Sequence, residues 1–318
     1  MKMPIFAVFV TLLPFERLPW GDKIWTMNRL RYKDANSYYK ERFGSKVYKA
    51  AIGLADSCPN RDGKCGTGGC IFCSEGGSGE FTISSGSIKE SLDHAISMVS
   101  KKAGPDARYI AYFQSFSNTY VDPKRLDDAL IEAASDERVV QIAIATRPDC
   151  LPQDIMEVLA RHASQFPVMV ELGLQTANDG TGKFINRCFD TSTFVDAVRR
   201  LSAIGCDTCA HVIFGLPGED INDMMESVRV ASICTGLKFT CLYIPKGTAI
   251  ENIWKRGEVE VLGMEEYFDI VEKALDIVPE DKVIFRVTGD CPKKLLLAPL
   301  WTSDKRRVIN YINRRFGS

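Results

Sequence analysis

Four of the chain's eleven cysteines lie in one glycine-rich loop, Cys58-Pro59-Asn60-Arg61-Asp62-Gly63-Lys64-Cys65-Gly66-Thr67-Gly68-Gly69-Cys70-Ile71-Phe72-Cys73, directly after an apolar run ending at Leu54. Cys70 and Cys73 have the C-x2-C spacing at which two thiolates reach one metal centre, and Cys58 or Cys65 can supply a third ligand. Glycines in such a loop let the backbone wrap closely and take positive φ at little cost. Two centres fit these residue types. A zinc site would be closed by all four thiolates; an iron–sulfur cluster held by three would leave one iron open to a ligand. A second C-x2-C, Cys206-Asp207-Thr208-Cys209, reads differently. It falls at a strand, where residues three apart point to opposite faces, so these are expected to be core thiols.

The loop needs a scaffold, and hydrophobic periodicity supplies one. Near-continuous apolar runs predict strands at 46–54, 108–113, 139–145, 168–174, 208–214 and 237–244, separated by helical patterns. Strands alternating with helices, apolar on both faces, imply an α/β fold with a parallel sheet. Polar and glycine-rich clusters follow these strands: Gln114-Ser115-Phe116-Ser117-Asn118, Thr146-Arg147-Pro148-Asp149, Gln175-Thr176, Gly215-Leu216-Pro217-Gly218-Glu219 and Lys246-Gly247-Thr248. In parallel sheets ligands gather at that end of the strands. Beyond residue 250, a helix near 264–277, a strand near 282–287 and a last helix near 304–315 are expected.

Taken together, Cys58…Cys70-x-x-Cys73 and the following Gly76-Gly77-Ser78-Gly79-Glu80-Phe81 resemble the cluster loop of the radical S-adenosylmethionine (SAM) enzymes. More narrowly, they resemble the YhcC/YtqA family, related to the elongator catalytic subunit. Further strings in family order are TRPDC from Thr146, ELGLQT from Glu171, AHVIFGLPGE from Ala210, KGT from Lys246, TGD from Thr288 and APLW from Ala298. The resemblance implies a partial six-unit (β/α) radical SAM barrel at 46–250, with an N-terminal extension at 1–45 and a C-terminal α/β extension at 251–318. It implies Cys58, Cys70 and Cys73 as ligands of a [4Fe–4S] cluster whose fourth iron is chelated by SAM. An electron from an external donor then yields a 5′-deoxyadenosyl radical that takes hydrogen from the substrate. For SAM it implies Gln114 and Ser115 near the methionine amino group, Gln175 with Arg187 toward the carboxylate, Gly215 turned against the adenine, and His211 as a polar group on the fifth strand. It also implies a tRNA partner, through the carbon-5 side chain of the wobble uridine. Three positions depart from the family: Cys65 is an extra thiol, Ala145 stands where relatives have Glu, and Asn186-Arg187-Cys188-Phe189-Asp190 replaces Asn-Arg-Gly-His-Asp.

Composition bounds the rest. Apolar content of 45% and charged content of 25% over 318 residues suit a globular chain with an ample core. A thiol-rich metal loop suits a reducing, cytoplasmic compartment. The apolar run within 1–14 is too short to span a bilayer, so no membrane association is expected. The net charge of −1 hides an asymmetry: residues 28–49 carry +5 and 291–318 carry +6, leaving about −12 for the remainder. Basic ends with tyrosines interleaved at one of them suit a polyanion. The competing readings of the same residues are a non-catalytic zinc-stabilised RNA-binding protein and a radical SAM enzyme acting on a peptide or small-molecule substrate.

Overall fold

The computed structural model describes residues 30–317, apart from 78, 80, 101, 102, 105 and 290. The apolar run at 1–14 lies outside the described residues. Helix α1 (Ala35–Phe43) leads into β1 (Val47–Ile52) and, after the cysteine loop, α2 (Ile88–Ser100). There follow β2 (Arg108–Phe113), α3 (Pro123–Ala134), β3 (Val139–Thr146), α4 (Gln153–Ala163) and β4 (Val168–Gln175). Next come α5 (Asp179–Phe184), α6 (Thr191–Ala203), β5 (Asp207–Phe214), α7 (Ile221–Ala231) and β6 (Gly236–Cys241). The chain closes with β7 (Ile244–Pro245), α8 (Ala249–Lys255), α9 (Met264–Ile277), β8 (Val283–Arg286), β9 (Leu296–Ala298) and α10 (Lys305–Phe316).

Seven strands form one all-parallel sheet in the order β1-β2-β3-β4-β5-β6-β8. The six strands read from sequence are all present, and β8, from the C-terminal segment, joins the same sheet beside β6. The expected sixth strand stops at Cys241; β7 turns away and pairs antiparallel with β9. Strands β1 and β8 are the two edges and do not pair with one another, so the barrel is partial. Helix α1 fills the gap: Tyr39 packs with Tyr112, Met169 and Cys209 inside the sheet, and its ring lies 5.8 Å from that of Phe285 on β8.

Alternation along each strand divides the residues between two environments. On β2, Tyr109, Ala111 and Phe113 join the large core under the helices, while Ile110 and Tyr112 face inward. On β4, Val168, Val170, Leu172 and Leu174 face the helices, while Met169 is in the inner cluster. Cys206 belongs to the outer core and Cys209 to the inner one, so these thiols lie on opposite sides of the sheet.

Asn118 ties three strand ends together. Its Nδ2 donates to the carbonyls of Phe113, Ser115 and Ala145 at 3.1, 2.9 and 3.0 Å, and its Oδ1 accepts from the backbone N–H of Leu54 and Ala55 at 3.2 and 3.3 Å. Splayed strand ends leave buried backbone groups that the sheet ladder no longer serves, and one fully buried amide satisfies them. Asn118→Ala should therefore lower the unfolding free energy by about 3 kcal/mol or more, since several buried groups lose partners at once. Chemical denaturation with circular dichroism checks this; a loss below about 1 kcal/mol would mean that water replaces the amide.

Candidate cofactor and substrate cavity

At the C-terminal ends of the strands lies a cavity of about 210 Å³ whose wall includes Cys58, Cys70, Cys73, Gln114, Ser115 and Gln175. Gly77 and Gly79 come against the end of β2. A Cβ on Gly79 would stand 2.1 Å from Ser115 Cβ, and one on Gly77 2.4 Å from the Phe116 ring. The Phe116 N–H donates to Gly77 O at 3.0 Å, which fixes the contact. Ser115, Phe116 and Gln175 hold positive φ of 75°, 51° and 61°, as do Asn186 and Cys188 at 57° and 64°. Left-handed backbone at non-glycine residues is costly, and here it gathers around one cavity, a common mark of a functional site.

Cys58 and Cys70 accept from side-chain donors. Ser117 Oγ donates to Cys58 Sγ at 3.2 Å and Asn60 Nδ2 to Cys70 Sγ at 3.3 Å. Burial first, and then the charge of Cys73, push the Cys70 thiol up to about 12; burial likewise raises Cys58, although Ser117 opposes it. Three thiolates cannot share this pocket without compensating positive charge, which an iron–sulfur cluster supplies. The residue types therefore fit the cluster, while among the described residues no three Cys, His, Asp or Glu side chains stand close enough together to hold a metal ion.

Cys65 does not line this cavity. It is exposed, borders a separate depression with Tyr120 and Cys150, and its thiol lies beside that of Cys188. Two of the positions that depart from the family pattern thus face one another. Asn186, in the same segment, clasps the cysteine loop: its Nδ2 donates to Thr67 O and Gly69 O at 3.0 and 2.7 Å, and its own carbonyl accepts from Asn60 at 3.0 Å.

The other expected residues divide. Gln114, Ser115, Gln175, Arg187 and His211 all border the cavity, whereas Gly215 does not. Gly215 has φ 81° and backs onto Leu262, which a Cβ would approach to 2.8 Å. Arg187 reaches the wall but is only 1% exposed. Its donors go to the carbonyls of Phe189, Leu174 and Thr176, to Asp179 Oδ1 at 2.7 Å and to Thr191 Oγ1 at 3.5 Å. That engages all five N–H groups of the guanidinium, so Arg187 shapes the loop after β4 and has no donor left for a ligand carboxylate.

Opposite the cysteines, the interior carries charges that the sequence reading passed over. Glu171 on β4 is 6% exposed; its carboxylate bonds Lys49 Nζ of β1 at 2.6 Å, Tyr112 Oη of β2 at 2.7 Å and Lys238 Nζ of β6. Burial raises the Glu171 carboxyl, but Lys238 and Lys49 together outweigh it and hold the group ionised. Burial draws the Lys238 ammonium below its ordinary range, against the pull of Glu171. His211 Nε2 lies 2.9 Å from Thr240 Oγ1, and burial, then the charges of Lys238 and Arg286, lower its pKa to about 3, so the ring is neutral. Lys49, Glu171 and Lys238 each interrupt an apolar strand run. That was the available signal, because a charge inside such a run must find a partner.

The profile of the Radical SAM superfamily matches residues 60–231, and that of the Radical SAM C-terminal domain matches 234–317. The chain belongs to the radical SAM superfamily. It is 38% identical over 286 residues to the uncharacterised protein YtqA of Bacillus subtilis, covering 89% of each chain, and 32% identical over 267 residues to protein YhcC of Escherichia coli, covering 83% of this chain and 85% of that one. A more distant similarity, 29% over 187 residues, links 56% of this chain with 33% of the tRNA uridine(34) acetyltransferase of Methanocaldococcus jannaschii. The fold is shared with Methanocaldococcus infernus Elp3 lacking residues 1–46 of its N-terminus, at TM-score 0.62 and 16% identity over 85% of this chain and 63% of that one. Family membership makes a [4Fe–4S] cluster and SAM the cofactors of this radical SAM enzyme.

Two outcomes follow. Anaerobically reconstituted protein should hold about four irons per chain. Alanine at Cys58, Cys70 or Cys73 should abolish that content while Cys65→Ala keeps it; a cluster that survives in Cys58→Ala and vanishes in Cys65→Ala would reverse the assignment. The second outcome concerns Glu219, beside the β5 end. Burial raises its carboxyl to about 7, although Thr176 donates to it, and its Oε2 is buried without a partner. The folded chain then holds this proton more tightly than the unfolded chain, so stability falls as pH rises from the ordinary carboxyl range to about 7 and is level above. Glu219→Gln should flatten that decline and raise the melting temperature at pH 8, read by thermal unfolding between pH 5 and 8. An unchanged slope would place the titration elsewhere.

Proposed function

We propose that this radical SAM enzyme remodels the carbon-5 side chain of the tRNA wobble uridine, converting a carboxymethylaminomethyl group to the aminomethyl type. The N–CH2 bond of the carboxymethyl group is oxidised to an imine with SAM as the two-electron acceptor, and water hydrolyses the imine to the amine and glyoxylate. Cys58, Cys70 and Cys73 hold the cluster. When bound, the cluster and SAM supply a 5′-deoxyadenosyl radical able to take hydrogen from an unactivated carbon. Gln114, Ser115 and Gln175 present polar groups to SAM from the ends of β2 and β4, Arg187 fixes the loop between them, and neutral His211 adds a polar group from β5. Phe72, Ile213 and Leu242 add an apolar patch to a wall that is otherwise largely polar, which limits water around a reactive group there. The electron comes from an external donor in a reducing, cytoplasmic setting; among the described residues no helix is long and apolar enough to cross a membrane.

The observation that carries the tRNA reading is where unpaired positive charge lies. Of the basic N-terminal stretch, Arg31, Lys33, Arg42 and Lys49 are all engaged by acidic side chains. In the C-terminal segment, exposed Lys293, Lys294, Arg306, Arg307 and Arg314 have no ion pair among the described residues. Such a set suits phosphates. The distant similarity to proteins named tRNA uridine(34) acetyltransferase supports the same substrate class.

Nucleoside mass spectrometry of tRNA from cells with and without the gene tests this reading. Deletion should accumulate the carboxymethylaminomethyl form and deplete the aminomethyl form at the wobble uridine. Reversing the charges of Arg306 and Arg307 should weaken tRNA binding and flatten its salt dependence by about 0.7–0.9 per lost contact. Identical nucleoside profiles together with no tRNA binding at low salt would remove tRNA as the substrate.

A further inference from the structure

Strand register aligns three basic side chains across the wall opposite the cysteines. His211 of β5 pairs with Lys238 of β6, and Lys238 pairs with Arg286 of β8. All three border the cavity. They are not equivalent. His211 is neutral and engaged with Thr240, and Lys238 is bound to Glu171. Arg286, the exposed member of the row, alone has no side-chain hydrogen bond or ion pair among the described residues. Its charge nevertheless acts inward: after burial it adds to the lowering of His211 and Lys238, and it opposes the burial that raises Tyr112.

The charge balance of this wall is incomplete. Glu171 is the one carboxylate bordering the cavity among the described residues, and it already serves Lys49 and Lys238. Ala145, its register partner on β3, adds none. The other arginines of the cavity are occupied: Arg147 by Asp149, Arg187 as described, and Arg61 by the carbonyls of Cys73 and Ser74. A guanidinium is always charged, and its planar fork matches a carboxylate through two parallel bonds.

We propose that Arg286, set beside Lys238 in the sheet register, receives a carboxylate carried by the substrate and thereby selects an anionic side chain over its neutral or cationic counterpart. On the wobble-uridine reading, on which the identity of the natural substrate rests, this carboxylate is the terminus of the carboxymethylaminomethyl group. The aminomethyl product lacks it and is released. Cys58 and Cys70 take their side-chain contacts from Ser117, Asn60 and Asn186, none of them on β5, β6 or β8. The anion subsite and the cysteines thus border one cavity from different elements, and a substrate in that cavity can meet both.

The test uses cluster-loaded, SAM-bound protein and two small probes, N-methylglycine and N-methylglycinamide, which share a skeleton and differ in the carboxylate. Competition of each probe against tRNA turnover, and direct titration by calorimetry, should show the acid binding at least tenfold tighter than the amide. The preference should vanish in Arg286→Gln and return in part in Arg286→Lys. Equal binding of the two probes to the unaltered protein, or an undiminished preference in Arg286→Gln, overturns the proposal. Weaker SAM binding in Arg286→Gln also overturns it, by assigning the guanidinium to the carboxylate of SAM. Calorimetric preference for the acid without any change in tRNA nucleosides would retain the subsite and reject the wobble-uridine substrate, so the two failures are distinguishable.

Discussion

Glu171 imposes the constraint on which the interior depends. A carboxylate near the middle of a parallel sheet cannot stay ionised without partners, and its partners come from β1, β2 and β6. One buried group therefore links strands that are not neighbours and holds the sheet in its curved form. Removing either lysine would leave charge unbalanced beside the cavity, so the arrangement trades stability for a polar interior. That polar interior is what allows a substrate, rather than more core, to occupy the space above it.

The parallel order does the remaining positioning. Every strand delivers its following loop to the same rim, so the cysteine loop after β1, the strained turn after β2 and the Arg187 loop after β4 meet without a long connection. Buried side chains then convert those loops into a rigid frame. Asn118 serves the backbone of three strand ends, Asn186 clasps the cysteine loop, and Arg187 spends all its donors on the chain around β4. None of these three needs to touch a reacting atom to be indispensable.

The cysteines were legible because thiols at C-x2-C spacing have few uses in a glycine-rich loop. The strands were legible because a sheet covered on both sides needs continuous apolar runs. Arg187 was expected at the SAM carboxylate; its use could not be read, since the carbonyls it serves are arranged only by the fold. Gly215 was expected at the cofactor because glycine after a strand permits close approach; here that approach is to Leu262. The row of His211, Lys238 and Arg286 was invisible because register between β5, β6 and β8 is set by helices and core packing far from those residues in sequence.

Three thiols and a polar interior wall face one cavity, the arrangement that SAM cleavage would use. Release of 5′-deoxyadenosine from SAM by anaerobically reconstituted, dithionite-reduced protein measures it most directly. Slow release by the protein alone, accelerated by tRNA from cells lacking the gene, is the expected result. Protein that carries its full complement of iron and binds SAM, yet releases no 5′-deoxyadenosine with or without tRNA, would contradict it.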